Sequence, residues 1–291
     1  MPRHPLIALF LLLTLGFLPA VHAERPSDTA APALHFGVLS VAPPARAVAK
    51  WTPFAHYLEQ RLGRSVEVIA PRGFERLTRA IEEGKLDVFY INSHVYYRLK
   101  RKGLAKPLAQ MVNLNGSTFS RSLFFVRKDA PIDNLHQIEG HRMAYISPLG
   151  AGAYLAPRAR LHEEGIRNTQ EDFTRNFIST IREVQTNPGT VGTLCGVRYS
   201  LLGKRENLSN LKVIGESEAY PEHVLAARSD LDEALSRRIT EIVIGMYDDP
   251  EGRLVLEPMA SMRISHFTTY DPSVEKVTEE LFRKAELDPG S

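Results

Sequence analysis

The chain has 291 residues, with 36 lysines and arginines against 34 aspartates and glutamates, and a formal net charge of +2. This near-neutral balance lacks the positive excess that nucleic-acid or membrane-surface binding needs, so we expect no nucleic-acid partner. The single cysteine, Cys195, excludes an internal disulfide, and an apolar core has to hold the fold alone. The length suffices for two lobes of ordinary domain size.

The first residues have the pattern of an export signal. A positively charged start, Met-Pro-Arg-His, precedes an apolar run over 6–18, and small residues follow up to Ala23. This order predicts a signal peptide over 1–23 that is cleaved after Ala23. The cleavage region offers no cysteine to lipidate, so we expect a periplasmic protein that is not a lipoprotein. Residues 24–33 are polar and are predicted to be disordered.

Short apolar strands and amphipathic helices alternate from residue 34 to residue 126. The helices are marked by apolar residues at helical spacing and by a following glycine, as at Gly63 and Gly84. This alternation is typical of an α/β fold with a mostly parallel sheet. The predicted strands are 34–39, 65–69, 86–91, 107–112 and 122–126, and the predicted helices are 48–62, 73–83 and one that starts near Asn92.

A second α/β series follows the connector that begins at Arg127. Its predicted strands are 142–146, one near Phe177, 190–194 and 211–214, and its helices are 152–164 and 181–186. The apolar segment 222–227 suits a return to the first series, and helices are predicted at 231–247, 251–256 and 274–285. We therefore expect two lobes, 34–126 plus 224–291 and 127–223, with two hinge crossings and an interlobe ligand cleft.

Polar or special residues stand at the ends of several predicted strands, where open α/β sheets bind ligands. Ser40, Tyr90, Cys195 and the segment Asn92-Ser93-His94 are of this kind, and Tyr220 and His223 lie near the second crossing. Each also has a simpler interpretation, since Asn92 or Ser93 can cap a helix and the aromatic residues can pack in the core.

The most distinctive turn is Ser147-Pro-Leu-Gly-Ala-Gly-Ala153, which links the strand 142–146 to the next helix. A helix start leaves backbone N–H groups without intrahelical acceptors and carries the positive end of the helix dipole. The amides of Gly150, Ala151, Gly152 and Ala153, with Ser147 beside them, are therefore a candidate anion site. An ordinary strand-to-helix connection has the same sequence pattern.

Cys195 admits several interpretations. A free cysteine is often a small buried apolar residue, whereas as a ligand it prefers thiophilic guests such as arsenite, sulfur oxyanions or copper. His94, His223 and Met111 could join such a site, but no metal-ligand spacing is visible. The chain has no Gly-x-Ser-x-Gly elbow, Walker loop or His-Glu-x-x-His segment, so we expect neither an enzyme nor a bound cofactor.

Several segments of the chain form a set of motifs in a fixed order. They are Phe36-Gly-Val, Trp51-x-Pro-Phe-x-x-Tyr-Leu58, Leu62-Gly63, Gly84-Lys-Leu-Asp-Val-Phe-Tyr-Ile-Asn-Ser-His-Val-Tyr96, Phe125-Val-Arg-Lys-Asp129, Leu155-x-Pro-Arg158 to Gly165-Ile166, and Pro221 to Ala227 followed by Arg228-Ser-Asp-Leu231. Together these motifs resemble the phosphate/phosphite/phosphonate-type periplasmic solute-binding proteins of ABC transporters. The resemblance implies a two-lobed periplasmic binding protein of type II (Venus-flytrap), a small anionic ligand and an ABC permease in the inner membrane. We expect a monomer.

The chain departs from that family's pattern at two cleft positions. Gly150, Ala151 and Gly152 stand where the resemblance implies consecutive hydroxyl side chains, and Cys195 stands where it implies an acidic residue. The backbone donors of the turn are kept. An alternative to transport is a ligand-sensing role in a two-component system, in which the closed lobes bind a sensor kinase instead of a permease.

Overall fold

The structure of the protein is a computed structural model that describes Met1 and residues 32–41 and 43–290. Residues 2–23 of the predicted signal peptide and most of the segment 24–33 lie outside the described residues. Within the described part, no helix combines the length and the apolar character that crossing a membrane requires.

The described elements follow the predicted alternation of strands and helices. The strands are β1 (Leu34–Val38), β2 (Val66–Ile69), β3 (Val88–Ile91), β4 (Ala105–Asn113), β5 (Phe119–Ser120), β6 (Ser122–Arg127), β7 (Arg142–Tyr145), β8 (Gln170–Phe173), β9 (Thr190–Cys195), β10 (Leu211–Glu216), β11 (Tyr220–Pro221), β12 (Val224–Arg228) and β13 (Ile264–Thr268).

Nine α-helices pack on these strands in the described part of the chain, with three short helical turns between them. The helices are α1 (Pro44–Leu62), α2 (Phe74–Glu82), α3 (Ser93–Arg101), α4 (Ala156–Glu163), α5 (Phe177–Thr186), α6 (Gly196–Gly203), α7 (Glu233–Gly245), α8 (Pro250–Met259) and α9 (Ser273–Lys284). The turns are 3₁₀ at Leu135–Ile138 and Ala260–Met262 and a π turn at Ala151–Leu155.

Two sheets with the same internal order form the framework. The first has the order β13-β4-β12-β3-β1-β2, with β1 parallel to β2 and β3 and with β12 antiparallel to β3 and β4. The second has the order β10-β6-β9-β7-β8, with β7 parallel to β8 and β9 and with β6 antiparallel to β9 and β10. Each sheet thus has three parallel strands beside one antiparallel strand, β12 or β6. Beyond that strand lie β4 and then β13, which is antiparallel to β4, in the first sheet and β10 in the second.

The chain passes between the two sheets twice. The strand β6 pairs with β9 and β10 in the second sheet, so the first passage lies between Asn113 and Ser122. The sequence placed this passage near residue 126, because the run 122–126 could not be assigned to a sheet before its partners were known. The return lies between Glu216 and Val224. A two-stranded ribbon of β5 and β11 joins the two passages.

Apolar burial follows the predicted periodicities. Trp51, Phe54 and Leu58 form the buried stripe of α1 and belong to the main core cluster. All residues of β3 are buried, as its continuous apolar run predicts for a strand covered on both faces.

The predicted strand near Phe177 is wrong, because α5 begins there. The side chain of Asn176 accepts a hydrogen bond from the amide of Ser179 at 2.9 Å and caps the helix start. The strand that completes the second sheet is β8, whose Gln170-Glu-Asp-Phe173 sequence lies at the sheet edge with its first two residues exposed. Its polar residues hide the alternation by which half-buried strands are recognised.

Candidate functional site

A cavity of about 690 Å³ lies at the strand ends of both sheets. It collects ten of the thirteen candidate residues, namely Ser40, Tyr90, Asn92, Gly150, Ala151, Gly152, Ala153, Cys195, Tyr220 and His223. Ser93, His94 and Ser147 do not line it. A volume of this size is typical of cavities for organic ligands of moderate size.

The glycine-containing turn leaves three backbone donors at the cavity. The amide of Gly150 is used within the turn, since it donates to the carbonyl of Ser147 at 3.1 Å. The carbonyl of Gly150 accepts from the amides of Tyr154 and Leu155. The amides of Ala151, Gly152 and Ala153 donate to no group of the described chain. They are the unpaired N–H groups that a helix start offers to an anion.

Close packing requires glycine at position 152. A Cβ atom built there would overlap the hydroxyl oxygen and the ring of Tyr220, whose Cε1 would lie only 2.9 Å away. The carbonyl of Gly152 accepts a hydrogen bond from the hydroxyl of Ser122 on β6. Ser147 supports the start of the same turn, because its Oγ accepts from the amide of Leu149 at 3.2 Å. These contacts hold the turn in place, while the amides of Ala151, Gly152 and Ala153 stay unpaired.

The segment Asn92-Ser93-His94 mainly supports structure. Asn92 caps α3 by accepting from the amide of Val95 at 3.0 Å, and its Nδ2 donates to the carbonyl of Leu149 at 3.1 Å. Ser93 donates to the carbonyl of Pro221 at 2.9 Å. His94 is 2% exposed, and its ring packs edge-on against that of Phe282. Burial, aided by the positive charge of Arg98, lowers the pKa of His94 to about 3, so the imidazole is neutral.

One wall of the cavity is aromatic. The rings of Tyr90 and His223 stack with 4.9 Å between their centroids and 16° between their planes, and Trp51 lies 4.8 Å from Tyr90 on another side. The hydroxyl of Tyr90 donates to Sδ of Met111 at 2.7 Å. Burial lowers the pKa of His223 and thereby favours the neutral ring, although the nearby Glu222 carboxylate acts in the opposite direction.

A buried ion pair lies next to Cys195. The guanidinium of Arg263 donates to Glu222 at 2.8 Å and approaches Sγ of Cys195 at 3.2 Å. Asn113 and Ser120 also donate to the Glu222 carboxylate, which is 0% exposed. Burial alone would raise the pKa of Glu222, but Arg263, His223 and Ser120 hold it well below its usual range. Glu222 thus neutralises Arg263.

Besides Arg263, the sequence analysis missed four further cationic residues of the lining. They are Arg46 and Lys50 on α1, Arg198 on α6 and Arg205 just after it. None of them forms an ion pair within residues 32–41 and 43–290. Of the described residues that line the cavity, none is an aspartate or glutamate.

The proximity of these charges to one another shifts their pKa values. Burial lowers the pKa of Lys50, and the positive charges of Arg198, Arg205 and Arg46 lower it further. Burial and then the charge of Arg263 lower the pKa of Arg198 to about 10. The first turn of α1 contains no acidic residue, although helix starts favour one, but α3, α4, α5 and α6 share this feature, so it does not single out the site.

The soft-ligand set that the sequence allowed around Cys195 does not assemble. The sulfur of Met111 accepts the Tyr90 hydroxyl, and His94 lies outside the lining. Among the described residues, no group of three or more His, Cys, Asp or Glu side chains could hold a metal ion. The arrangement has the chemistry of an anion site with backbone and cationic donors.

A model of one protein family matches residues 36–274, and its description is ABC transporter, phosphonate, periplasmic substrate-binding protein. The chain is also similar to the phosphonates-binding periplasmic protein of Escherichia coli (strain K12), with 24% identity over 263 residues that cover 86% of this chain and 75% of the relative.

Solved structures share the fold. XAC2383 from Xanthomonas citri bound to chloride has a TM-score of 0.77 and 21% identity, with 87% of this chain and 97% of that chain covered. The same protein bound to ATP has a TM-score of 0.74, 20% identity and the same coverage. PhnD1 from Prochlorococcus marinus (MIT 9301) in complex with methylphosphonate has a TM-score of 0.73 and 16% identity, with 87% and 98% covered.

At these identities the structural likeness establishes the fold, a two-lobed α/β periplasmic binding protein. The family model, which spans most of the chain, establishes more. Its members bind a substrate for a transporter and are not enzymes. The chain therefore belongs to the family of periplasmic substrate-binding proteins of ABC phosphonate transporters.

Proposed function

We propose that this protein captures a phosphonate- or phosphate-like oxyanion in the cavity and delivers it to an ABC permease in the inner membrane. The observation that carries the proposal is the charge of the lining, which has four cationic side chains without carboxylate partners and three unpaired amides at a helix start. Cations in a cavity with low-dielectric walls concentrate positive potential and attract anions. The complexes of the structural relatives with chloride, ATP and methylphosphonate support this choice.

We assign the two sheets to two hinged lobes. The six-stranded sheet and α1 would form one side of the cavity, and the five-stranded sheet with α6 the other. The passages near 113–122 and 216–224 would be the hinge. An anion that contacts both sides only in the closed form would shift the population toward that form. The permease would then receive the closed, loaded protein.

A panel of ligands tests the proposal by thermal shift and calorimetry. The panel contains phosphate, phosphite, methylphosphonate, sulfate, arsenite and Cu(I). A ligand that binds only the native state at 100 times its Kd adds about 2.7 kcal/mol to the free energy of unfolding. We expect such a shift from at least one phosphorus oxyanion. The absence of a shift with every anion would refute the proposal.

Two alternatives from the sequence have distinct tests. A thiophilic ligand held by Cys195 predicts stabilisation by arsenite or copper that the Cys195→Ser variant abolishes. A sensing role predicts that the loaded protein retains a sensor kinase from membrane fractions, whereas transport predicts retention of the permease. Export through a cleaved signal predicts a mature chain in the periplasmic fraction that begins at Glu24, and sedimentation would test the expected monomer.

A further inference from the structure

The four cations that form no ion pair among the described residues lie on elements that belong to different sheets, and one of them, Arg198, donates to the carbonyl of Ser261 at 3.3 Å. The helix α1, which carries Arg46 and Lys50, packs against β2 of the six-stranded sheet. The helix α6 packs against β6 and β9 of the five-stranded sheet, with Arg198 on it and Arg205 just after it. Positive charges therefore meet at one cavity from two sides, and a negative group between them would relieve their repulsion.

The three unpaired amides form a second set of donors on another element. Ala151, Gly152 and Ala153 lie in the turn after β7, where Tyr220 packs against Gly152. One tetrahedral oxyanion would accept the hydrogen bonds of this turn and would leave most of the positive charges of α1 and α6 for further negative groups of the ligand. Two sets of donors, one neutral and one cationic, fit a ligand with more than one negative charge.

The space between these donors is large and partly apolar. The cavity of about 690 Å³ holds far more than one oxyanion, and Trp51, Phe74, Leu77, Phe177 and Met262 contribute to its lining. Apolar and aromatic walls with a few converging polar groups are typical of sites for organic molecules. Among the described residues, the lining also contains no carboxylate that could pair with an ammonium group on the ligand.

We propose that the natural ligand is an organic phosphate or phosphonate with at least two negative charges, a flat apolar body and no ammonium group. This inference rests on the proposed function and narrows its substrate class. One anionic group occupies the amides of the turn 151–153, and further negative charge lies between α1 and α6. The apolar body lies against the aromatic wall.

Calorimetry with five probes tests the class directly. Adenosine 5′-diphosphate and 1-naphthyl phosphate supply a body and two or more charges, and pyrophosphate supplies charge without a body. Methylphosphonate lacks the body, and 2-aminoethylphosphonate adds an ammonium group. We expect one of the first two to bind at least tenfold more tightly than pyrophosphate and methylphosphonate, and 2-aminoethylphosphonate to bind most weakly.

This experiment distinguishes a wrong ligand class from a wrong proposed function. If methylphosphonate or pyrophosphate binds as tightly as both probes with a body, the ligand class is overturned and the proposed function stands. If 2-aminoethylphosphonate binds most tightly, the class is likewise overturned. If no anion binds, the proposed function itself fails.

Two neighbouring residues give a matched pair of variants. Arg205→Gln and Lys204→Gln remove the same charge from adjacent exposed positions, but only Arg205 lines the cavity. We expect Arg205→Gln to weaken adenosine diphosphate binding at least fivefold and methylphosphonate binding less than twofold, with Lys204→Gln close to native for both. If both variants lose the same affinity for adenosine diphosphate, the loss comes from the change in net charge alone, and the two-sided cationic site is overturned. Unchanged melting temperatures would show that both variants fold.

Discussion

The contact between Gly152 and Tyr220 allows a sharp test of the turn that offers its amides to the ligand. An alanine at 152 would place its Cβ inside the space of the Tyr220 hydroxyl and ring. Tyr220 is 3% exposed and belongs to the same core cluster as Tyr97, Leu155 and Phe282, so we expect its ring to displace neighbours if it moves by about 1 Å or more.

We expect Gly152→Ala to lower the free energy of unfolding by about 1–3 kcal/mol, the usual cost of overpacking a core. Affinity for the oxyanion should fall as well, because a displaced turn misplaces the amides of Ala151 and Ala153. Loss of one hydrogen bond to a charged group costs about 1.5–3 kcal/mol, which corresponds to at least about tenfold in Kd. Urea unfolding and calorimetry measure the two effects separately.

The control is Gly245→Ala at the end of α7, where an added Cβ meets no atom within 4 Å. This change should be neutral, or stabilising by up to about 1 kcal/mol through helix propensity. A Tyr220→Val variant relieves the overlap, so the double variant should be more stable than the sum of the single effects implies. If Gly152→Ala changes stability by less than about 0.5 kcal/mol and leaves Kd unchanged, the reasoning about this turn is refuted.

Three further perturbations probe other parts of the site and its support. Glu222→Gln leaves the buried Arg263 charge unpaired and should lower the free energy of unfolding, measured with urea, by about 3–5 kcal/mol. The control Glu251→Gln removes an exposed partner of Arg61 and should lower it by less than about 1 kcal/mol. His94 is neutral in the folded protein, so the free energy of unfolding should fall by up to about 1.4 kcal/mol per pH unit as the pH decreases from about 6.5 toward 3. The His94→Gln variant should show a smaller slope over this pH range. Lys50→Gln should weaken methylphosphonate binding by about fivefold at low ionic strength. The effect should be smaller at 1 M salt, because the Debye length there is only about 3 Å and the charge is screened. An equal loss of affinity at both salt concentrations would contradict a charge contact.

The sequence predicted most of the fold because its core signals are local. The amphipathic spacing of α1 and the apolar run of β3 each fixed an element and its buried face. The elements it missed lack such signals. The helix α6 has no buried residue, and β8 and β13 are edge strands with polar residues.

The site was predicted only where strand ends marked it. The turn from Gly150 to Ala153 comes after β7, Cys195 is the last residue of β9, and all of these residues line the cavity. Ser93 and His94 also follow a strand, but α3 turns them into the interior, a direction that depends on packing against Pro221 and Phe282. Arg46 and Arg205 do not lie at strand ends, and they reach the cavity only through the packing of α1 and α6. The sequence pattern therefore did not indicate them.

Arg263 is another residue of the site that local sequence patterns could not predict. It has a left-handed backbone, with φ of 75°, at the turn that precedes β13. This conformation is uncommon for a residue other than glycine and directs the side chain to the buried Glu222. The pair joins segments 41 residues apart in sequence, so neither residue could be connected to the other by spacing.

The central claim is that an anion is held between a helix start and cations from both sides of the cavity. The most direct measurement is a crystal structure of the protein soaked with methylphosphonate. The account predicts phosphonate oxygens about 2.7–3.2 Å from the amides of Ala151 to Ala153 and within reach of a cationic side chain from α1 or α6. An anion bound elsewhere, or amides paired with the protein's own carbonyls in the complex, would contradict it.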